Sequence, residues 1–487
     1  MQKLNEICSC ESKANSETEF VGIRCEKTKE GGALETSIIF PLGYFKDDSA
    51  LCELPEEELR ECVVNLFTVL SDPSLQEQIR QDSSISTFAE EHGESEFPMV
   101  SYLNVIRNYL DFGYLDEKEI LYKKGANGKI NWGRTIKAVQ PVITEDAQNL
   151  VYLDFVARKV SYNEDTLITQ VHKFCVHDAL VKLGFLFGIE PSEEPLLDFD
   201  YDLFCNAINS KLAKTFNDRD LRLLADLARI VEYLAGHKTE DGKTADDFYF
   251  GVNTFAPVWE AMVDRIFGKL PQGVTKDKFT PHLMFVVESS KNDDGVKYQD
   301  GDDKDEKHRS TLRPDTIMII GKEIAAVASL PRNDNAGVYI LDSKYYKYGL
   351  TKNPAHLPGA ESVCKQMAYM EYVEQLMREK ETPAGACPEP VEWAGMTSGN
   401  IYNAFIMPYC ADAGKWDKIA AVATLPRNDV YAMKRVGYIY GDWKSRSKPF
   451  HKIACILLDV KAVTENYAHN STAQRELAKL IFPSLPH

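Results

Sequence analysis

The sequence lacks the apolar segments that mark membrane and exported proteins. No stretch approaches the length of a membrane span, and residues 1–20 contain no apolar run of the kind found in signal peptides. The 11 cysteines have no framework spacing, and the C-x-C at Cys8 and Cys10 has no second pair that would complete a zinc site. We therefore expect a cytoplasmic protein with reduced thiols and no membrane partner.

The sequence also lacks the common motifs of nucleotide hydrolysis and acyl transfer. Gly125, Gly128 and Lys129 superficially resemble a phosphate-binding loop, but the spacing is short and Ile130 stands where Ser or Thr is required. No serine or cysteine lies in a nucleophile-elbow pattern. Any hydrolysis of a nucleoside triphosphate must therefore come from a partner.

Positive charge is scarce as well, because the formal net charge is −18. That sign argues against a protein that coats DNA by itself, since contacts to phosphates need Lys and Arg. A basic groove on an acidic body stays compatible with this average. The charge also favours dependence on a partner that binds DNA.

A chain of 487 residues predicts at least two domains, which we place at 1–240 and 241–487. Apolar and polar patterning in the first domain predicts a strand at 38–45 and helices at 59–70, 145–187 and 201–236. The polar, glycine-bearing segment 237–251 is the predicted boundary. The second domain has predicted helices at 256–268 and 361–380, with strands at 281–289, 315–321, 338–346, 402–410 and 452–461. Strands with a crossing helix indicate an α/β domain.

One segment is nearly duplicated. IAAVASLPRND at 324–334 recurs as IAAVATLPRND at 419–429, and both resemble the translated product of a dispersed palindromic DNA repeat, as does CPEPVEW at 387–393. We predict inserts near 324–334, 383–398 and 419–429, because lengthening a surface loop costs little free energy. A duplicated binding loop is the alternative. The acidic run 291–309 is predicted to be a solvated loop.

Two short motifs in the second domain carry the predicted chemistry. Arg313-Pro314-Asp315 begins one apolar strand and Asp342-Ser343-Lys344 ends the next. Phosphodiester cleavage needs carboxylates that hold a hard divalent cation such as Mg²⁺, and a nearby lysine can orient the attacking water. Asp342 and Lys344 are two positions apart, so both side chains project from the same face of a strand. These residues predict a magnesium site with Asp315 and Asp342 as ligands.

Asp342 follows Asp315 by 27 positions, which is a long separation for a hairpin. Removing the repeat at 324–334 leaves a hairpin of ordinary length, so the insert accounts for the excess. The alternative interpretation is a surface pair of aspartates beside an exposed lysine.

Two helical residues are weaker candidates for the same site. Glu260 lies opposite the apolar stripe of helix 256–268 and is predicted to reach the metal, whereas the alternative has Glu260 and Asp264 facing water. Gln366, on helix 361–380, is a candidate for binding the scissile phosphate or the water.

Taken together, these motifs resemble the LlaJI-type restriction endonuclease family, relatives of the McrC nuclease subunit. The likeness extends over most of the chain, and the segments that carry it are FVGIRCEK, IIFPLGYF, GKINWGRTI, FGVNTFAPVWEAMVDRIFG, RPDTIMIIG, YILDSKYY, IYNAFIMPY and LLDVK.

The resemblance implies a fold, an activity and a partner. The fold would be a mixed α+β N-terminal region followed by a PD-(D/E)xK restriction-endonuclease-like α/β core. Asp315, Asp342 and Lys344 match the PD-(D/E)xK residues and Glu260 matches the family's helical acidic residue. The chain would cut double-stranded DNA with Mg²⁺, and its N-terminal half would dock onto a McrB-like AAA+ GTPase. Two alternatives stay open: another PD-(D/E)xK nuclease of repair or transposition, or a subunit whose inserts have made it inactive.

Overall fold

The structure is a computed structural model. It describes residues 3–10, 20–27, 34–82, 97–115, 117–125, 128–143, 150–163, 166–191, 194–236, 248–284, 309–321, 336–381, 400–411, 431–444 and 451–481. The predicted inserts near 324–334, 383–398 and 419–429 lie outside the described residues, as does the acidic run apart from Arg309.

The chain forms two compact units. The middle unit comprises Met1–Lys3, Glu26–Leu34 and Glu90–Phe248, and the C-terminal unit comprises Leu4–Cys25, Glu35–Ala89 and Tyr249–His487. The change near residue 248 lies close to the predicted boundary at 240. Most of the first 89 residues nevertheless belong with the C-terminal unit, which differs from the predicted division.

The N-terminal elements explain that difference. They are α1 (Leu4–Ile7), β1 (Cys8–Cys10), β2 (Val21–Lys27), β3 (Leu34–Phe40), α2 (Asp48–Glu53), α3 (Glu56–Leu70) and α4 (Pro73–Asp82). The strands form a four-stranded sheet in the order β1-β3-β2-β9, with β9 at Phe248–Val252. Gly22 permits close pairing with β9, because a Cβ there would lie 2.2 Å from the Phe250 carbonyl oxygen. A sheet that joins strands from the first 40 residues to β9 explains why most of the first 89 residues belong to the C-terminal unit.

Two N-terminal predictions can be compared with this part of the structure. The helix predicted at 59–70 is confirmed by α3. The strand predicted at 38–45 is confirmed only to Phe40, where β3 ends. Pro41 then begins a turn in which its carbonyl accepts a hydrogen bond from the Tyr44 backbone N–H at 3.1 Å.

The middle unit combines small sheets with long helices. Its elements are α5 (Met99–Phe112), β4 (Glu117–Lys124), β5 (Lys129–Ile130), α6 (Trp132–Ala138), β6 (Val142–Ile143), β7 (Leu150–Val151), β8 (Val156–Asn163), α7 (Leu167–Phe187), α8 (Tyr201–Leu212) and α9 (Asp218–Gly236). The strands form sheets of order β4-β8-β5 and β6-β7. The helix predicted at 145–187 is correct for α7 but wrong for β7 and β8, whereas α8 and α9 confirm the one predicted at 201–236.

The rest of the C-terminal unit is built on a five-stranded mixed sheet. Its elements after β9 are α10 (Ala256–Phe267), a 3₁₀ helix (Lys276–Phe279), β10 (His282–Met284), β11 (Arg309–Thr311), β12 (Thr316–Ile320), β13 (Gly337–Ser343), α11 (Tyr348–Thr351), a 3₁₀ helix (Pro354–His356), α12 (Ala360–Glu381), β14 (Ile401–Tyr409), β15 (Met433–Tyr440), β16 (Lys452–Asp459), α13 (Val460–Glu465) and α14 (Ser471–Ile481). The sheet order is β12-β13-β14-β16-β15, with β13, β14 and β16 parallel and both edge strands antiparallel.

The burial of the central strands explains why their sequences are continuous apolar runs. Every residue of β12, β13 and β14 is buried, and α12 packs its Met370 and Val373 against this part of the core. Parallel strands covered by helices on their faces are expected to be apolar throughout. The α/β class predicted for this part of the chain is therefore confirmed.

None of the described helices is both long and apolar enough to cross a membrane.

Candidate active site

The β12–β13 hairpin brings the two predicted aspartates to the same end of the sheet. The strands are antiparallel with Thr316 opposite Leu341, so Asp315 at the start of β12 comes beside Asp342 near the end of β13. The Asp342 side chain lies in a central strand and the residue is 3% exposed. The antiparallel pairing predicted for these two strands is confirmed.

Hydrogen bonds fix the three residues of the predicted motif. The Ser343 backbone N–H donates to Asp315 Oδ2 at 2.8 Å. Lys344 Nζ lies 2.9 Å from each carboxylate oxygen of Asp342. The Lys344 backbone N–H donates to the Ile406 carbonyl at 2.9 Å, so Lys344 continues the pairing of β13 with β14. The structure thus places Asp315, Asp342 and Lys344 together, and their catalytic roles stay predictions.

The ionisable side chains at this site shift one another's pKa values. Burial, followed by the nearby Asp342 and Glu260 carboxylates, raises the pKa of Asp315 well above its usual range, and Lys344 offsets only part of this. Burial alone would lower the pKa of Lys344, but Asp342 and Asp315 more than offset that effect and raise it. The site therefore concentrates negative charge in a region with little water to stabilise it.

A cleft of about 120 Å³ opens beside Asp315. Glu260 and Asp264 of α10 line it, together with Arg313 and Lys276. Both carboxylates are half-buried, and the two interpretations of this helix face stay open. Asp264 Oδ2 accepts hydrogen bonds from Gln78 Nε2 at 3.0 Å and forms an ion pair with Lys276 Nζ at 2.7 Å.

Gln366 lies inside the core beside the site. It is fully buried, and its Nε2 donates to the Ile340 carbonyl at 2.8 Å and to Asn403 Oδ1 at 3.3 Å. Among the described residues, its Oε1 has no hydrogen-bond partner. These contacts direct the amide toward β13 and β14, and the predicted contact with phosphate or water stays a prediction.

Two residues near the site were missed by sequence reasoning. Lys276 donates to the Asp315 carbonyl oxygen at 2.5 Å, and no motif spacing signals a contact with a backbone atom. Asn403 is buried within the otherwise apolar strand β14. The sequence could have indicated Asn403, because a buried polar side chain in an apolar strand requires a hydrogen-bond partner.

Asp315 and Asp342 supply some of the ligands that a hard divalent cation needs. Mg²⁺ is commonly held by one or two carboxylates together with water and substrate phosphate, and Asp315 and Asp342 supply two. Burial, followed by Asp342 and Glu260, raises the pKa of Asp315, and a bound cation would favour its ionised form. Within the described ranges, no three His, Cys, Asp or Glu side chains form a metal-binding group by themselves. Glu260 as a third ligand therefore stays a prediction.

Comparisons with known proteins place the chain in a family. The model of the LlaJI restriction endonuclease family matches residues 52–424. A Bacillus subtilis (strain 168) protein named type II restriction enzyme BsuMI component YdjA is 24% identical over 275 residues, which cover 55% of this chain and 53% of that protein. The chain thus spans about half the length of this curated relative.

A solved structure was also found, the Thermococcus gammatolerans complex of McrB AAA+ hexamers with bound McrC. The similarity covers 95% of this chain and 83% of that chain, at 12% identity and a TM-score of 0.29. A TM-score this low does not establish a common fold. The family match is different in kind because it extends over most of the sequence, and it shows that this chain belongs to the LlaJI restriction endonuclease family.

Proposed function

We propose that this chain is the Mg²⁺-dependent DNA-cleaving subunit of a restriction system, with a PD-(D/E)xK site formed by Asp315, Asp342 and Lys344. The observation that carries the proposal is the meeting of two carboxylates and one ammonium group at the end of the β12–β13 hairpin. Membership of a restriction endonuclease family supports it. The five-stranded mixed sheet with helices packed against it supports a PD-(D/E)xK core.

Asp315 and Asp342 would hold the cation, and Glu260 would add negative charge from α10. Bound Mg²⁺ would polarise the scissile phosphate and lower the pKa of the attacking water. Lys344 is held by Asp342, and its ammonium group is close enough to Asp315 for the two charges to influence each other. It is therefore placed to orient that water and to offset the negative charge that develops on the phosphate.

Positive charge near the cleft supports DNA as the substrate despite the net charge of −18. Arg313 is exposed and lines the cleft together with Lys276, next to Asp315. Phosphate contacts from Lys and Arg supply most of the non-specific affinity for DNA. The exposed Arg313 would serve this purpose on an acidic protein, whereas Lys276 is already paired with Asp264.

A second part of the proposal concerns the partner, a McrB-like AAA+ GTPase that docks on the middle unit. Segment 122–153 of that unit exposes eight large apolar side chains: Tyr122, Trp132, Ile136, Val142, Ile143, Leu150, Val151 and Leu153. Leu153 is 73% exposed and Ile143 64%. Such a concentration is typical of a protein-binding surface. The lack of a phosphate-binding loop in this sequence supports a partner that hydrolyses the nucleotide.

The proposal is tested by DNA cleavage with the full chain, its AAA+ partner, GTP and Mg²⁺. We expect Asp342→Ala and Lys344→Ala each to lower the cleavage rate by about 10²–10³-fold, because each removes a group that acts in the transition state. Lys278→Ala, at an exposed lysine outside the cleft, is the matched control and should cut like the wild type. Co-purification with the partner should be the same for all four proteins.

The outcomes separate the alternatives. A wild-type chain that never cleaves DNA with its partner would favour a subunit made inactive by its inserts. Metal-dependent cleavage that needs neither the GTPase nor GTP would favour a repair or transposition nuclease. Unchanged cleavage by Asp342→Ala would refute the assignment of the site.

A further inference from the structure

The turn that carries Asp315 is held by side chains from two different elements. Tyr369 of α12 donates its hydroxyl to the Arg313 carbonyl at 3.1 Å. Lys276 Nζ donates to the Asp315 carbonyl at 2.5 Å. Pro314 between them is buried and has no backbone N–H to contribute. Two of the carbonyl groups of this turn therefore accept hydrogen bonds from side chains of other elements.

Lys276 also contacts the helix that carries Glu260. Its Nζ forms an ion pair with Asp264 Oδ2 at 2.7 Å, and Asp264 follows Glu260 by about one helical turn on α10. The side chains of Lys276 and Asp264 are each 15% exposed, so the ion pair is mostly shielded from water. Lys276 thus connects the strand that carries Asp315 to the helix that carries Glu260.

The helix end of this connection is itself held in place. Asp264 accepts a second hydrogen bond from Gln78 Nε2 at 3.0 Å. The next residue, Arg265, donates to Asp72 Oδ2 at 2.7 Å, and Tyr467 donates to the same oxygen at 2.8 Å. These contacts give Lys276 a fixed partner on α10, which restricts where its ammonium group can lie.

We infer that Lys276 is a positioning residue for the Asp315 carboxylate, acting through the main chain of the Arg313–Asp315 turn. The inference rests on the proposed nuclease function, since it assigns Lys276 to the same site. Metal ligands must be held within about 0.5 Å of the productive geometry, and side chains behind them provide this. Loss of such a side chain typically costs about 10- to 100-fold in activity or metal affinity.

A direct role in binding DNA phosphate would predict a different result. A lysine that contacts substrate equally in the ground and transition states changes KM and leaves kcat unchanged. A lysine that positions a catalytic carboxylate changes kcat. It also changes the turn in the absence of DNA and metal, which a phosphate contact does not.

The experiment compares Lys276→Met with Lys278→Met, a matched change at an exposed lysine two positions later. Hydrogen–deuterium exchange of the full chain, without DNA or metal, reports on the Ser343 amide, which donates to Asp315 Oδ2. We expect faster exchange at Ser343 in Lys276→Met, with β14 still protected. Cleavage with the partner should show kcat lowered by about 10- to 100-fold and KM for DNA unchanged. Lys278→Met should match the wild type in both measurements.

Wild-type exchange at Ser343 in Lys276→Met would overturn the inference, and so would a raised KM with unchanged kcat. If the methionine disturbs β14 as well, Lys276→Gln is the second variant and must give the local change alone. A wild-type chain without cleavage would refute the proposed function, whereas the exchange measurement would still decide whether Lys276 positions the turn.

Discussion

Both units bury ionisable side chains, but they pair them differently. In the middle unit, Asp178 accepts a hydrogen bond from Tyr102 at 2.6 Å and forms an ion pair with Lys182, whose side chain is 2% exposed. At the end of the five-stranded sheet, Asp315 and Asp342 lie side by side, with Lys344 bound to only one of them. The first arrangement pairs a carboxylate with an ammonium group, and the second places two carboxyl groups beside each other with one ammonium group.

This difference agrees with a structural role for the first arrangement and with the metal-binding role proposed for the second. Balanced pairs keep a buried charge from destabilising the fold, whereas carboxylates that repel one another cost folding free energy unless a cation joins them. The comparison implies opposite responses to neutralising substitutions in the two units. Removing one charge should destabilise the middle unit and stabilise the metal-free sheet end.

The largest expected effect is at the Lys182–Asp178 pair. We expect Lys182→Met to lower the free energy of unfolding by about 3–5 kcal/mol, because it leaves a buried carboxylate without its cation. Chemical denaturation measures this, with Lys214→Met at an exposed lysine as the matched control. The double variant Lys182→Met/Asp178→Leu should recover part of the loss. If Lys182→Met is as stable as the wild type, the contrast drawn between the two units is wrong.

A second prediction concerns the buried histidine of the middle unit. His172 Nδ1 accepts a hydrogen bond from the Leu115 N–H at 3.0 Å, and burial lowers the pKa of His172 to about 4. The unfolded chain takes up this proton near pH 6.5, so stability is lost as the pH falls from about 6.5 to 4. A shift of this size corresponds to about 3 kcal/mol.

His172→Gln, which keeps a hydrogen-bond acceptor, should remove that part of the pH dependence. Denaturation at pH 7 and at pH 4.5 measures the effect, and His177→Gln, at a histidine that is only partly buried, should retain the wild-type slope. An unchanged slope in His172→Gln would show that another group governs acid stability.

Much of the C-terminal fold was predictable because its strands are buried on both faces. Continuous apolar runs marked β12, β13, β14 and β16, whereas β15 was missed. That edge strand is only partly buried and its pairing register shifts between Arg435 and Gly437, so its sequence shows neither a continuous run nor regular alternation.

The candidate site was predictable where side-chain spacing determines geometry. Asp342 and Lys344 are two positions apart on a strand, and an antiparallel hairpin brings Asp315 to Asp342. Lys276 could not be predicted, because it contacts a backbone carbonyl 39 positions away. The pairing of β2 with β9 was also unpredictable, since patterning identifies strands and not their distant partners.

The smallest expected effect is an increase in the free energy of unfolding, caused by a substitution at Asp315. Its pKa is raised by burial and then by Asp342 and Glu260, so its contribution to stability is present at low pH and lost as the pH rises through that pKa. Asp315→Asn should therefore stabilise the metal-free protein at pH 8 by about 0.5–2 kcal/mol, and by less at pH 5. Asp277→Asn, at an exposed aspartate near the cleft, is the matched control. Asp315→Asn also removes a proposed metal ligand. Ca²⁺ should therefore raise the thermal stability of the wild type and not that of Asp315→Asn. If Asp315→Asn is less stable than the wild type at pH 8, the carboxylates are already balanced without a cation, and the contrast between the two units disappears.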